Sequence, residues 1–350
     1  MTTSPDLPTL SERRLNRALL ARQHLLDRSS APLPRVLERM GGLQDQYAPS
    51  GYLGLWSRME GLERDRLTRA LERRSVIQAT LLRGTIHLVS RRDFWPIATA
   101  IRADRRTWWL RVQRTGMTPA SMRAVAARIR RLLANGPRTR AEILAELGLD
   151  STTWNGAAGW IDLVRVPPSG TWDRRRADLY GLAEDWVGPP DATEADGLAL
   201  LVRRYLTGFG PARPADIASW AGVANATLGP ALTSVRLRRF RDEAGAELVD
   251  LPGAPLPDAD TPAPARFLPT WDATLLAHAR RTQILPELHR PRVFDVKTPH
   301  SVPTFLIDGR VAGTWRHEGG RIRIAPFARL PKAAARELRE EADRLLDFVS

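Results

Sequence analysis

Short amphipathic helices followed by a β-ribbon recur three times along this chain of 350 residues. In the first copy Leu33, Val36, Leu37 and Met40 form one helical stripe, and two β-prone runs follow at 75–80 and 85–89. In the second copy, helical periodicity at 119–134, 138–147 and 151–164 precedes a ribbon at 165–176. In the third copy, helical periodicity at 192–207, 214–221 and 224–234 precedes a ribbon at 236–251. Helices that precede a ribbon are typical of a winged helix-turn-helix unit, so we predict three such units in tandem.

A different module is predicted after the third ribbon. Residues 252–264 are rich in proline and predict a linker or a long surface loop. Beyond them we expect a helix at 272–285, a β-rich segment at 302–327 and a final helix after Pro331. The predicted fold is therefore α+β and mainly α, with a small antiparallel β-barrel at the C-terminus. Its predicted divisions are winged-helix units at 1–115, 116–190 and 191–251, the linker at 252–264 and the barrel module at 265–350.

The charge of the chain points to a polyanionic partner. There are 53 basic and 39 acidic residues, which gives a net charge of +14 and a sequence pI near 11.2. Lys297 and Lys332 are the only lysines, so the excess is arginine, whose planar guanidinium binds phosphate oxygens in pairs. A GC-rich genome would explain arginine in place of lysine, but it would not explain the excess of positive charge.

Several classes of site and location are disfavoured by what the sequence lacks. Without cysteine there is no disulfide, no thiolate nucleophile and no cysteine-ligated zinc, and the six histidines show no pair at ligand spacing. We therefore expect neither metal nor cofactor. No apolar run reaches the roughly 20 residues that a membrane span needs, and the N-terminus does not resemble a secretion signal. A cytoplasmic protein without membrane contact is the expectation.

The segment Gln44-Asp45-Gln46 is the most informative candidate site. It follows Gly41-Gly42 at the predicted end of a helix, and residues two apart share a face on extended backbone. Gln44 and Gln46 would then converge on one ligand while Asp45 points the other way. Neutral amides suit the holding of a water or a base edge, not proton abstraction. The alternative is that two polar residues simply occupy a loop between helices.

Three stretches together resemble a known family, the winged-helix DNA glycosylases of the AlkZ and YcaQ type. The stretches are Gln44-Asp45-Gln46 ahead of Tyr52-Leu53-Gly54-Leu55-Trp56-Ser57-Arg58, then Leu82-Arg83-Gly84-Thr85-Ile86-His87-Leu88-Val89, and finally Leu268-Pro269-Thr270-Trp271-Asp272-Ala273-Thr274-Leu275-Leu276-Ala277-His278. The resemblance implies three winged-helix motifs capped by a β-barrel, and Gln44 with Gln46 matches the Gln-x-Gln branch of the family. It further implies removal of alkylated purines, including N7-alkylguanines of interstrand crosslinks. That branch resembles self-resistance enzymes of producers of DNA-alkylating antibiotics.

The resemblance places the catalytic roles on Gln44 and Gln46. N7-alkylation makes guanine a cationic leaving group, so the enzyme would mainly place a water, held by the glutamine carbonyl oxygens, near the anomeric carbon. Asp45 is the alternative catalytic group, a general base if the backbone turns differently. Both glutamines are expected to lie in one exposed basic concavity. Because no lysine lies near the motif, a monofunctional hydrolase is predicted.

The expected partner is double-stranded DNA carrying alkylated or crosslinked purines, bound by a monomer associated with the nucleoid. The candidate DNA-binding residues, each with a structural alternative such as a salt bridge, a core histidine or a solvated face, are Arg83, His87, Arg174, Arg175, Arg176, Arg280 and Arg281. Tryptophans such as Trp108 and Trp109 are more typical of core anchors than of base-stacking platforms, and Asp272 is expected to cap a helix. The competing functions are a winged-helix transcription regulator and a non-catalytic DNA-binding protein.

Overall fold

The computed structural model describes residues 7–279, 281–295 and 301–350, and helices outweigh strands. The helices are α1 Glu12–Arg22, α2 Leu33–Met40, α3 Ala48–Trp56, α4 Arg64–Glu72, α5 Arg91–Val112, α6 Pro119–Leu133, α7 Arg140–Leu147, α8 Ser151–Ala157, α9 Ala183–Val187, α10 Glu194–Phe209, α11 Pro214–Ala221, α12 Asn225–Ser234, α13 Arg290–Val293 and α14 Lys332–Val349. The strands are β1 Thr9–Leu10, β2 Leu43–Gln44, β3 Val76–Thr80, β4 Ile86–Ser90, β5 Arg138–Thr139, β6 Leu163–Arg165, β7 Leu179–Leu182, β8 Arg238–Asp242, β9 Glu247–Asp250, β10 Arg266–Leu268, β11 Thr304–Ile307, β12 Arg310–Glu318 and β13 Arg321–Pro326. The α+β, mainly helical class predicted from the sequence is confirmed.

One order of elements occurs three times: helix, short extended segment, two helices, then two antiparallel strands. The first copy is α2-β2-α3-α4-β3-β4, with β2 paired to β4, and the second is α6-β5-α7-α8-β6-β7, with β5 paired to β7. The third is α10-α11-α12-β8-β9, in which Ala212 forms the equivalent bridge to Val249 of β9. The helices-then-ribbon order expected from periodicity is therefore present in all three copies. In the second copy, however, the predicted helix at 151–164 ends at Ala157, and the predicted ribbon at 165–176 is mostly the loop between β6 and β7.

The ribbons of the first two copies join into one sheet. Ala79 of β3 pairs with Val164 of β6, which gives a six-stranded order β2-β4-β3-β6-β7-β5. The third ribbon lies in a separate sheet, where β1 pairs in parallel with β8. The first two repeated units are therefore fixed to each other by backbone hydrogen bonds.

Glycines allow the close contacts around the first unit. Gly41 ends α2 with a left-handed φ of 79°, and a Cβ there would lie 3.3 Å from Arg204 O and from the Phe209 ring. At Gly197 of α10 a Cβ would lie 2.2 Å from Pro96 O of α5. These positions hold α10 against both α2 and α5.

The C-terminal strands form an open sheet, so the predicted β-barrel is wrong for the described residues. The order is β10-β11-β12-β13, all antiparallel, without pairing between β13 and β10. Four short strands are too few to close around a core of side chains. One face is instead covered by α14, whose Leu338, Ala342 and Leu345 are buried in one cluster with Phe267 and Trp315.

The predicted helix at 272–285 is also wrong for the part of it that the structure describes. Only the 3-10 turn Ala273–Leu275 forms, and Asp272 caps it by accepting a hydrogen bond from Thr274 N at 3.0 Å. Leu275, Ala277, Ile284 and Leu285 are all buried in the largest apolar cluster. The segment therefore buries its apolar side chains without forming the helix that its periodicity predicts. The capping role expected of Asp272 is confirmed.

The proline-rich segment is a surface loop attached to α1. Arg22 donates to Pro255 O at 3.0 and 2.8 Å, Arg17 donates to Thr261 O at 2.6 Å, and Arg13 donates to Ala259 O at 2.7 Å. The largest apolar cluster draws on all the predicted units, with members from Leu19 to Val311. The predicted domain divisions stay a prediction. No helix of the described chain is both long and apolar enough to cross a membrane.

Candidate active-site cleft

A cleft of about 1130 Å³ lies between the first two repeated units and the α11–α12 turn of the third. Its walls include Gln46, the turn Leu81–Gly84, one side of α5, part of α8 and residues 221–224. Six arginines and two aspartates line it: Arg83, Arg102, Arg105, Arg111, Arg140 and Arg165, with Asp104 and Asp162. The cleft is therefore basic.

The candidate catalytic segment has the extended backbone that the sequence required. Gln44 pairs with His87 in the β2–β4 ladder, and Asp45 N donates to Ile86 O at 2.8 Å. Gln46 is exposed and lines the cleft, and its Oε1 accepts from Ile86 N at 3.1 Å. Edge pairing to β4 thus continues through the motif and fixes the direction of its side chains.

Gln44 does not meet the expectation that both glutamines are exposed. Its exposed fraction is 7%, and its Oε1 accepts a hydrogen bond from Arg83 Nη2 at 3.1 Å. The same guanidinium donates through Nη1 to Trp220 O of α11 at 2.6 Å. Gln44 is therefore joined to the cleft through Arg83, and the two glutamines occupy unequal positions.

The hydrogen-bond donors next to Gln44 and Gln46 determine which end of each side-chain amide is the oxygen. A guanidinium faces the oxygen of Gln44 and a backbone N–H faces that of Gln46, so each carbonyl oxygen is already held. Neither amide nitrogen has a hydrogen-bond partner among the described residues. The amide of Gln46 can therefore donate to a ligand in the cleft, and its oxygen keeps one lone pair, whereas Gln44 does not line the cleft.

Arg83 adopts a left-handed conformation with a φ of 53°, which turns its guanidinium toward Gln44. Arg83 is exposed as a residue, but the protein atoms packed around its guanidinium partly desolvate it and lower its pKa to about 10. The side chain therefore stays protonated at neutral pH. It supplies a fixed positive charge beside the glutamines.

Asp45 points away from the cleft, as predicted, and is 1% exposed. Its Oδ2 accepts from Gln78 Nε2, and its Oδ1 accepts from Gly51 N of α3 at 3.0 Å. Burial raises the pKa of Asp45 well above its ordinary value. Since Asp45 does not line the cleft, this geometry supports a structural role that fixes α3 beneath the motif and does not support a general base.

His87 is a correction to the predicted DNA-binding set. It is 2% exposed, and its Nδ1–H donates to Thr85 O at 3.0 Å. Burial, with the nearby charge of Arg83, lowers the pKa of His87 to about 3, so the ring is neutral. A buried neutral ring within β4 cannot contact DNA.

The three consecutive arginines are exposed on the loop between β6 and β7. Arg175 Nη1 donates to Tyr47 OH at 3.1 Å, and its guanidinium lies 5.7 Å from the Trp172 ring. Arg176 pairs with Asp178 at 2.8 Å. The loop therefore contacts the residue that follows Gln46, and DNA contact by Arg174, Arg175 and Arg176 stays a prediction.

Of the remaining two candidates, only Arg281 can be compared with the cleft. Arg280 lies outside the described residues. Arg281 is half-buried, and its guanidinium lies 4.9 Å from the Phe294 ring. Burial lowers its pKa, and it does not line the cleft.

Sequence reasoning missed the basic wall that α5 supplies. Arg102, Arg105 and Trp108 recur every three residues, a spacing that places them on one side of a helix. This spacing in the sequence could have indicated a basic helix face that carries an aromatic ring. Trp108 is 55% exposed, whereas Trp109 is 5% exposed and serves as the expected core anchor.

A family model described as "DNA glycosylase AlkZ-like" matches residues 37–348, nearly the whole chain. The chain belongs to the AlkZ-like DNA glycosylase family. It is therefore a DNA glycosylase, a hydrolase that acts on DNA. The family resemblance carried by the sequence motifs is confirmed.

Two comparisons extend along nearly the full length of this AlkZ-like chain. The interstrand DNA cross-link repair glycosylase of Streptomyces sahachiroi is 24% identical over 355 residues, and the match covers 92% of each protein. The solved structure of Streptomyces sahachiroi DNA glycosylase AlkZ superposes with a TM-score of 0.81 at 19% identity, over 97% of both chains. The second comparison shows that the two proteins share one fold.

Metal ligation has no candidate in the part of the chain that the structure describes. No three His, Cys, Asp or Glu side chains are grouped there as a metal site would require.

Proposed function

We propose that this AlkZ-like glycosylase hydrolyses the N-glycosidic bond of alkylated purines, chiefly N7-alkylguanines and including those of interstrand crosslinks. The observation that carries the proposal is an open basic cleft of about 1130 Å³ with the exposed Gln46 in its wall. The relative from Streptomyces sahachiroi, named for interstrand cross-link repair, supports the choice of substrate.

The dimensions of the cleft suit a base that stays attached to DNA. A guanine bonded to both strands cannot swing out into a tight pocket, as many glycosylases require. The cleft here exceeds the range of about 300–1,000 Å³ that is usual for small-molecule pockets. Its arginines would bind the phosphates that flank the lesion.

The reaction needs little acid catalysis. The N9–C1′ bond breaks, its electron pair neutralises the cationic N7-alkylguanine, and a water oxygen then bonds to C1′ and releases a proton to solvent. Gln46 would orient that water through its remaining carbonyl lone pair, while its amide N–H groups donate to the departing base. The rate enhancement would come from the positioned water and from the fixed dipole of the Gln46 amide.

Gln44 and Arg83 would form a supporting pair. Gln44 is nearly buried, so we assign it a role through the charged guanidinium that it holds at 3.1 Å. Asp45 is assigned to positioning, because both its carboxylate oxygens are engaged by Gln78 and Gly51. Because Gln44 is buried, the catalytic pair inferred from the sequence is not kept: we propose Gln46 alone as the catalytic residue and Gln44 as a positioning residue.

We also propose that the three repeated units are winged helix-turn-helix motifs. Support comes from the shared order, in which the short segment after the first helix pairs with the last strand of the ribbon. The enzyme would act as a monomer on nucleoid DNA, with the loop of Arg174, Arg175 and Arg176 on the phosphate backbone.

Defined substrates test this function. Duplexes carrying one N7-methylguanine, or one N7–N7 guanine crosslink, are incubated with excess enzyme, and released base is quantified by chromatography. We expect base release that leaves an alkali-labile abasic site, without strand cleavage by the enzyme itself. The charge-neutralising variant Arg336→Ala, on the exposed side of α14, should release base at the wild-type rate. Tight DNA binding with no base release from either substrate would reject the proposal.

A further inference from the structure

We propose that Trp108 is a stacking platform for an unpaired nucleobase of the DNA held in the cleft. The inference deepens the proposed function, since it identifies which part of the DNA the apolar portion of the cleft receives. It rests on the position of one indole ring among arginines.

Trp108 is one of few large apolar side chains that the described chain leaves exposed. Tyr47, Trp108, Val112 and Leu288 are exposed by 44%, 55%, 45% and 74%. Trp108 and Val112 lie one turn apart on α5, and both line the cleft. Two of these four exposed side chains therefore lie where the DNA is expected to bind.

The ring of Trp108 is unoccupied by protein, unlike that of its neighbour. Trp109 packs on Trp160 with ring centroids 5.8 Å apart and is buried. Trp108 has neither an aromatic nor a cationic ring partner among the described residues. Exposure of a tryptophan forfeits the stabilisation that burial of its large apolar surface would give, and a ligand that covers the ring would restore it.

The charges beside Trp108 identify the ligand as nucleic acid. Arg105 and Arg111 lie three residues before and after it and line the cleft, as does Asp104 one turn before it, so the charge around the ring is net positive. Arg105 is anchored to Thr80 O at 2.9 Å, whereas Arg111 is exposed. Arginines that bind phosphates on either side of an open indole form the arrangement by which proteins hold single-stranded nucleic acid.

Only an unpaired base fits this site. Within a duplex both faces of a base are covered by the neighbouring pairs, so a base must leave the stack before it can lie on an indole. A purine that is alkylated or being released disturbs its own pair, and it leaves the opposite base free to move. The cleft offers that base an aromatic face and adjacent cations.

Equilibrium binding tests the proposal without requiring catalysis. Fluorescence anisotropy is measured for a fully paired duplex, for the same duplex with one bulged nucleotide, and for a third with a bulged abasic analogue. The proteins are the wild type, Trp108→Ala, Trp108→Phe and Leu288→Ala. Leu288→Ala is the matched control, since it truncates an exposed apolar side chain that does not line the cleft.

We expect Trp108→Ala to weaken binding of the bulged base by about 5- to 100-fold, the range seen when one stacked base loses its aromatic partner. Binding of the paired and abasic duplexes should change by less than about twofold, because neither presents a free base face. Trp108→Phe should recover most of the loss, and Leu288→Ala should match the wild type.

An equal loss on all three duplexes, or no loss on any, would overturn the proposal. It would also be overturned if Trp108→Ala slowed base release only for adducts with an aromatic substituent, since the ring would then bind the alkyl group. This test measures DNA affinity, whereas the test of the proposed function measures base release. A protein that releases no base can still discriminate the bulged duplex, and one that releases base can fail to do so.

Discussion

Arg83 Nη2 donates to Gln44 Oε1 at 3.1 Å, so a guanidinium at the cleft wall holds the less exposed of the two motif glutamines. Arg83 also reaches Trp220 O at 2.6 Å, and this contact ties the first repeated unit to the third. The glutamine motif is therefore positioned by an element more than 170 residues further along the chain.

Replacement of Arg83 should reduce the rate of base release. Arg83→Lys keeps the charge but cannot bridge Gln44 and Trp220 with two nitrogens, and Arg83→Ala removes both contacts. Since small displacements of positioning groups cost about 100-fold in rate, we expect losses of about 10-fold for Lys and about 100-fold for Ala. Single-turnover rates at saturating enzyme measure this effect. Equal rates for all three proteins would exclude a positioning role.

Replacement of Asp45 separates structural support from general base catalysis. Asp45→Asn can accept from only one of Gln78 and Gly51, which leaves one buried donor unpaired at a cost of about 1–3 kcal/mol. We expect a lower free energy of unfolding and a single-turnover rate within about 10-fold of the wild type. A rate loss as large as that of Gln46→Ala, in a protein that stays folded, would assign Asp45 to the chemistry.

His87 should make the protein sensitive to mild acid. Its pKa is about 3 in the folded protein against 6.5 when unfolded, so the unfolded state takes up a proton first. The contribution of His87 is complete above pH 6.5 and is lost as the pH falls toward 3, by about 2 kcal/mol at pH 5. Urea unfolding of wild type and His87→Gln between pH 7 and pH 5 measures it. The variant should show the shallower decline, and parallel declines would contradict the buried neutral ring.

The loop of Arg174, Arg175 and Arg176 should contribute affinity without sequence preference. Replacing all three by serine should weaken binding of every duplex to a similar extent, and it should lower the slope of log K against log[salt] by about 1–3. The matched triple lysine variant should retain most of the affinity, because it keeps the charge. An unchanged salt slope in the serine variant would place DNA elsewhere on the surface.

The parts of the fold that local pattern determines could be predicted. Helical stripes and ribbons gave the order of the three units, and the glycine pair ahead of Gln44 indicated the extended segment that sends Asp45 inward. The same reasoning placed Asp272 at a cap, where Thr274 N meets its Oδ1.

Features that depend on tertiary packing could not be predicted. His87 alternates with Ile86 and Leu88 along β4, but this strand is covered on both faces, so the opposite face is not the surface. The prediction of a barrel was wrong because closure depends on pairing between strands that are distant in the sequence. The sheet stays open, and α14 covers one face of it. The exposure of Trp108 depends on how α5 lies between two units, which periodicity does not report.

The catalytic role of Gln46 is tested most directly by single-turnover release of N7-alkylguanine by wild type, Gln46→Ala and Gln44→Ala, with DNA affinity measured in parallel. Loss of one positioning group at the reacting centre should slow Gln46→Ala by at least about 100-fold, and Gln44→Ala should lose less, while both bind DNA like the wild type. Release by Gln46→Ala at the wild-type rate would contradict a catalytic role for Gln46.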